Sequence, residues 1–180
     1  MTATSIIAIA LGALELLAGL AILTARPKVE AALKAFPRHT PSGWVLLGID
    51  TVWCVWLIYV TPFESLGWLK PYLYGFSPIA AYLVAKHLDD LLAPRALGGL
   101  FLLAGAPLLK LIQWHESPWR LVITVCLYIM VIKGMMLIMF PYKFRTAVEY
   151  WLANPGRVKA MAAVALLLGA LLLVLGFTVL

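Results

Sequence analysis

The sequence predicts an all-α, polytopic integral membrane protein. Hydrophobic residues make up 64% of its 180 residues and charged residues 12%, and the mean hydropathy is +0.99. Soluble globular domains contain about half apolar and a quarter charged residues. Since hydrocarbon offers no water to backbone N–H and C=O groups, apolar segments of this kind cross a membrane as helices. No stretch shows the alternation of apolar and polar residues that membrane β-strands need.

Six stretches of the chain are apolar over about the length that crosses a bilayer, which is roughly 20 residues for a helix. The first and last stretches meet this length, whereas the second and third are shorter and rely on aromatic residues at their ends. We therefore expect about six transmembrane helices in a single domain of residues 1–180. The stretches are residues 6–24, 44–59, 72–88, 96–113, 121–140 and 160–180.

Two short amphipathic helices are predicted between the spans. Each begins at a proline, Pro27 or Pro141, and repeats apolar residues at i, i+3, i+4 and i+7. A helix with one apolar face and cationic flanks lies in the membrane interface. The apolar positions are Val29, Ala32, Leu33 and Phe36 in the first helix and Phe144, Ala147, Val148 and Trp151 in the second.

The order of span, proline, interfacial helix, proline and span occurs twice. The two copies are residues 6–61 and 121–180, and they flank a central helix pair at residues 71–113. Because two spans separate the copies, both have the same orientation, as in the parallel repeats of some transporters. Duplication and coincidence both account for this pattern, since membrane hairpins often carry short basic loops.

Lysine and arginine residues are distributed unevenly between the two predicted sides of the membrane. Ten lie on the side that carries the amphipathic helices, and three, Lys70, Lys110 and Arg120, lie on the other. Basic loops remain in the cytoplasm. We therefore expect a protein of the bacterial inner (cytoplasmic) membrane with both termini outside the cytoplasm. We also expect the basic loops to attract anionic lipid head groups.

Small residues form a stripe on the first predicted helix and another on the last. In lipid, such residues let helix backbones approach closely. We therefore expect these two helices to make close helix–helix contacts, either within the chain or with another subunit. The fourth predicted helix, which contains three glycines and Pro107, is expected to be the least regular. The stripes are Ala8, Gly12 and Gly19 in the first helix and Ala162, Ala165, Gly169 and Gly176 in the last.

Three charged residues lie inside predicted spans at a similar depth. Glu15 lies nine residues from the inner end of the first helix, Asp50 about seven residues into the second, and Lys133 about seven from the inner end of the fifth. A lone charge at such a depth costs about 2.5–3.5 kcal/mol, so each needs a partner, water or neutralisation. We expect Lys133 to pair with Asp50 or Glu15. Three roles are open: a structural ion pair, docking onto a charged helix of another subunit, and a proton or ion relay.

A second group of charged residues closes the third predicted helix on the cytoplasmic side. It consists of Lys86, His87, Asp89 and Asp90, with Arg95 after the turn. Lys86 and Asp90 are four residues apart and can pair along the helix face. A metal site would need a further His or Cys ligand nearby. We therefore interpret this group as a solvated helix end, and we expect neither a metal nor a cofactor.

The sequence lacks the usual catalytic signatures, such as a glycine-rich phosphate loop, a Ser/His/Asp arrangement or an HExxH zinc motif. We therefore expect a protein that is not an enzyme and does not bind nucleic acid. The first hypothesis is an accessory or scaffolding subunit that packs against other integral membrane proteins or against itself. The alternative is a small-solute or ion transporter or channel module that uses the charge layer. A polar cavity near Glu15, Asp50 and Lys133 would favour transport, and packed side chains with apolar grooves on the flanks would favour a scaffold.

Overall fold

The computed structural model describes residues 2–62, 67–87 and 91–179, and within these ranges every regular element is helical. Two single turns of 3₁₀-helix occur at Phe36–Arg38 and Gly67–Leu69. The α-helices are α1 (Ala3–Thr24), α2 (Arg26–Ala35), α3 (Thr40–Val60), α4 (Lys70–His87), α5 (Leu92–Ile112), α6 (Arg120–Met139), α7 (Pro141–Leu152) and α8 (Pro155–Thr178).

Five of these helices, α1, α3, α5, α6 and α8, are long and apolar enough to cross a membrane. The chain is therefore an all-α membrane protein. The span predicted at residues 72–88 is present as α4 but is not among the five. Its ends carry Lys70 and Lys86, and Pro78 lies inside it, so it is less apolar than the others.

Local sequence explains where several helices begin. Ser5 N donates to Thr2 Oγ1 over 3.1 Å and Thr2 N donates to Ser5 Oγ over 2.8 Å, so a capping box starts α1 before the apolar stretch. A proline lies in the first turn of α2, α7 and α8, where its missing N–H has no helical partner to lose. The Asn154 side chain caps α8 by accepting from Gly156 N over 2.8 Å.

The membrane helices pack as a chain of neighbours. The first and last helices, α1 and α8, run antiparallel, and α5 and α6 form a second antiparallel pair. In contrast, α3 and α5 run parallel, because Gly43 lies against Ala93 and Asp50 lies against Gly99. The helix between them, α4, packs on α3 and returns the chain to the start of α5.

The two ends of the helix bundle differ. At one end, a core of buried residues joins the start of α1, the end of α5, the start of α6 and the end of α8. Both termini of the described chain therefore lie at this end. At the other end, α2 and α7 contact each other, and the rings of Phe36 and Phe144 lie 5.8 Å apart. The buried core residues are Ile7, Ala8, Ile112, Ile123, Leu127 and Leu172.

Candidate functional site

The small-residue stripes of α1 and α8 face each other within one chain. A Cβ added at Gly12 would lie 2.9 Å from the Gly169 carbonyl oxygen, and one added at Gly169 would lie 2.8 Å from the Gly12 carbonyl oxygen. Each backbone therefore occupies the space that a side chain on the other would need. Further along the pair, Gly19 lies against Ala162, and Gly176 lies against Ala8. Ala165 is also buried.

A second contact of this kind, which the small-residue stripes do not predict, joins α5 and α6. A Cβ at Gly98 would lie 2.7 Å from the Gly134 carbonyl oxygen, and one at Gly134 would lie 2.9 Å from the Gly98 carbonyl oxygen. Gly105, seven residues after Gly98, faces Val131 on the same side of α5. This seven-residue spacing is the signal that could have identified the face. The helix continues through Pro107 to Ile112.

Asp50 is buried between α3 and α5. Its side chain is 9% exposed, and its Oδ2 lies 2.7 Å from the position that a Cβ on Gly99 would occupy. Asp50 Oδ1 accepts no hydrogen bond from the described residues, and neither does the buried Trp53 Nε1 donate one to them. One turn of α3 thus carries a buried acceptor, Asp50 Oδ1, and a buried donor, Trp53 Nε1, that have no partner among the described residues.

Lys133 lies on the other side of α5. Gly99 faces Asp50, whereas the neighbouring Gly98 faces Gly134, which adjoins Lys133. Asp50 and Lys133 are therefore at a similar level, but α5 stands between α3 and α6. Among the described residues, the ion pairs are Arg26–Glu30 and Arg145–Glu149, at 2.7 and 2.9 Å. The expected pair of Lys133 with Asp50 or Glu15 is not formed.

Glu15 is half-buried on α1. The Cys126 thiol lies within electrostatic range of both Glu15 and Lys133. Lys133 is therefore on the α6 side of α5, whereas Asp50 is on the α3 side. Counting residues along each helix predicts the depth of these charges, but it does not predict the side of the bundle on which each lies.

Lys133 lines a groove of about 840 Å³ between α5, α6 and α7. The ε-amino group makes no hydrogen bond or ion pair with the residues that the structure describes. The walls of the groove are mainly aromatic and aliphatic. They comprise Leu97, Phe101, Met136, Leu137, Phe140, Tyr142, Lys143, Phe144, Thr146, Ala147, Tyr150 and Trp151.

The predicted cytoplasmic charge cluster is described in part. Lys86 and His87 are exposed in the last turn of α4, and His87 Nδ1 lies 2.9 Å from the Leu83 carbonyl oxygen. Arg95 is half-buried in the first turn of α5. Asp89 and Asp90 lie outside the described residues. Within residues 2–62, 67–87 and 91–179, no group of His, Cys, Asp and Glu could hold a metal ion.

Two chemical capacities follow from this arrangement. Asp50 is an acid group held away from water, and Lys133 is a cation at the surface of an apolar groove, where an anionic group could reach it.

No protein-family model matches the chain, and neither a curated protein nor a solved structure is significantly similar to it.

Proposed function

We propose that this chain is a non-catalytic membrane subunit that packs against a transmembrane helix of another integral membrane protein. The groove between α5, α6 and α7 is the docking surface, and Lys133 is its specificity element. The observation that carries the proposal is a cation in an apolar groove without a counter-charge among the described residues. Accessory subunits and scaffolds need such a surface and no catalytic centre.

The depth of Lys133 in the membrane determines how much free energy an unpaired ε-amino group costs. Lys133 lies six residues before Met139, the end of α6, which is about 9 Å along the axis at roughly 1.5 Å per residue. An unpaired cation inside the hydrocarbon costs about 2.5–3.5 kcal/mol on insertion scales. An acidic side chain on a partner helix would offset this cost and would select that helix over an uncharged one.

The groove also has the composition of an interface core. Phe101 and Met136 line its walls, and Tyr150 and Trp151 lie toward the end of α7. Aromatic residues and methionine are enriched in the buried cores of protein interfaces, and tryptophan and tyrosine are frequent among the residues that contribute most to binding. The volume of about 840 Å³ accommodates several side chains of a docked helix.

The proposal includes six crossings in a bacterial inner membrane. Because α3 and α5 run parallel, α4 must return the chain over a similar distance, and its 18 residues extend about 27 Å at roughly 1.5 Å each. Six crossings agree with termini that lie at one end of the bundle. The basic residues around α2 and α7 would then face the cytoplasm. The repeat of residues 6–61 and 121–180 remains part of this proposal.

Site-specific photo-crosslinking in intact membranes tests the docking surface. A photoreactive residue at Ala147 lies in the groove, whereas one at Leu167, which is exposed on α8, lies outside it. We expect Ala147 to crosslink to one protein with an acidic residue in a transmembrane helix, and Leu167 to crosslink to lipid. Crosslinks from both positions to lipid alone would contradict the proposal. A crosslink to a second copy would make the partner the chain itself.

Charge exchange then tests the role of Lys133. Lys133→Glu should abolish co-purification of the crosslinked partner, and converting the partner's acidic residue to lysine should restore it. Lys110→Glu, at an exposed position near the end of α5, is the matched control and should leave co-purification unchanged. Equal losses in the two variants would show that Lys133 has no specific partner.

A second candidate function, an ion-translocating module, rests on Asp50. Asp50 is a 9% exposed acidic residue inside a predicted span, and its Oδ1 accepts no hydrogen bond from the described residues, which is the kind of group that proton and ion pathways use. Proteoliposomes with a pH-sensitive dye inside would reveal a flux that Asp50→Asn abolishes. Equal dye responses in wild type, Asp50→Asn and empty liposomes would eliminate this candidate.

A further inference from the structure

A cleft separate from the groove lies between the Phe36–Arg38 turn, the end of α2 and α7. It has a volume of about 380 Å³. Arg145, Val148 and Glu149 line it from α7, and their i, i+3, i+4 spacing places them on one face of that helix. The residues of α7 that line the groove, such as Ala147 and Tyr150, are on the other face. The two surfaces therefore share α7 without sharing residues.

Three cations and one carboxylate line the cleft. Glu149 Oε1 accepts from Arg145 Nε over 2.9 Å, and this bond leaves the two terminal nitrogens of the guanidinium available. Lys34 and Arg38 make no hydrogen bond or ion pair with any residue in the described ranges. The cleft thus has an excess of positive charge and several free N–H donors.

The floor of the cleft is apolar and lies beside a contact between two aromatic rings. Leu33, Leu91 and Val148 line it, together with the buried Pro37. The Phe36–Phe144 ring contact holds α2 against α7 beside the cleft. Leu91, which lies on this floor, has φ 63° and ψ 31°, a left-handed conformation, and directly precedes α5.

We propose that this cleft binds a phosphate group. Arginine presents paired N–H donors that match two phosphate oxygens, and lysine adds a point charge, so Arg38, Arg145 and Lys34 provide suitable ligands. A phospholipid head group and a soluble phosphate share this chemistry. The apolar floor and the position beside two amphipathic helices favour the phospholipid, whose glycerol and first acyl carbons would lie on Leu33 and Val148.

This proposal does not rest on the docking of a partner at Lys133. Ordinary attraction of a basic surface to an anionic bilayer contributes a similar small increment for each cation, independent of its position. A specific site predicts instead that removing Lys34 and Arg38 weakens lipid binding far more than removing two other cations. That difference is what the experiment measures.

The experiment compares two double variants that remove the same charge from the same end of the molecule. Lys34→Gln with Arg38→Gln removes two ligands of the cleft. Lys28→Gln with Lys159→Gln removes two exposed cations that do not line it. Each protein is reconstituted in nanodiscs of phosphatidylcholine with phosphatidylglycerol, transferred to mild detergent, and examined by native mass spectrometry for retained lipid. Size-exclusion chromatography verifies that both variants are folded.

We expect wild type and the Lys28/Lys159 variant to retain phosphatidylglycerol, and the Lys34/Arg38 variant to bind it at least about tenfold more weakly. Val148→Phe keeps every charge but places a larger side chain on the floor of the cleft, and it should weaken retention of the lipid as well. If inorganic phosphate instead raises the thermal midpoint of wild type and of the Lys28/Lys159 variant, with no lipid retained, the ligand is a soluble phosphate. Equal losses in the two double variants would overturn the proposal, and so would undiminished retention of the lipid by Val148→Phe.

Discussion

The α1–α8 pair and the α3–α4 pair are two antiparallel helix pairs of the same molecule, and their glycines have opposite surroundings. In α1 and α8, Gly12 and Gly169 each lie against the other's carbonyl oxygen. In α3 and α4, Gly48 and Gly75 have no atom of the described residues within 4 Å of the position of an added Cβ. The same residue type thus lies inside one pair and on the surface of the other.

This difference shows how stability is distributed in a membrane protein. Lipid tails are as apolar as leucine, so helices associate through close backbone contact and interhelical hydrogen bonds rather than by hiding apolar surface. The α1–α8 pair uses this close contact, whereas α4 is peripheral and has Ala85 as its buried residue among those described. We therefore expect the α3–α4 flank to open before the rest of the bundle.

The largest effect is expected from Gly169→Val. The added Cβ would lie 2.8 Å from both the Gly12 carbonyl oxygen and the Leu16 backbone nitrogen, neither of which can move without separating the helices. We expect a loss of about 3 kcal/mol in the free energy of unfolding, the upper part of the range for overpacking. Reversible unfolding by SDS in mixed micelles measures it.

The control for this prediction is Gly48→Val, on α3. Valine is a better helix former than glycine by a few tenths of a kcal/mol or more, and no described atom obstructs it, so stability should stay the same or rise slightly. Equal destabilisation by the two variants would show that the glycines matter for the helix itself and not for the contact.

The sequence predicted part of this architecture, and its failures have physical causes. The helical spacing of small residues predicted that α1 and α8 make close helix–helix contacts, because such a stripe is visible in the sequence of each helix by itself. The Gly98–Gly134 contact escaped because α6 offers a single glycine and no stripe. Counting residues along a helix gives depth in the membrane, but it does not give the neighbour, and so the expectation that Lys133 pairs with Asp50 or Glu15 could not take into account that α5 separates Lys133 from Asp50.

A moderate effect is expected from Gly98→Ala in α5. The new methyl group would lie 2.7 Å from the Gly134 carbonyl oxygen and 2.9 Å from Ile138 Cγ1, so α5 and α6 must separate slightly. We expect a loss of about 1–2 kcal/mol by the same unfolding measurement. Gly75→Ala in α4 is the matched control and should gain up to about 1 kcal/mol from helix propensity. A gain in both variants would mean that the α5–α6 contact tolerates a methyl group.

A double-mutant cycle tests whether α5 isolates the flank from the charge on α6. Asp50→Asn and Lys133→Met are made singly and together. Because α5 lies between the two side chains, their effects on stability should add to within about 0.5 kcal/mol. A coupling energy well above this value would show that the two charges meet in the folded protein.

The smallest effect is expected from Lys70→Met, which removes two hydrogen bonds between the start of α4 and the end of α3. Lys70 Nζ donates to the Tyr59 and Thr61 carbonyl oxygens over 2.7 and 2.8 Å. These bonds are exposed, so their loss should lower stability by less than about 1 kcal/mol. Hydrogen exchange should accelerate at the end of α3 and the start of α4 and stay unchanged in α1 and α8. Acceleration across all helices would mean that the α3–α4 pair and the α1–α8 pair unfold as one unit. The two pairs would then differ in the packing of their glycines but not in local stability.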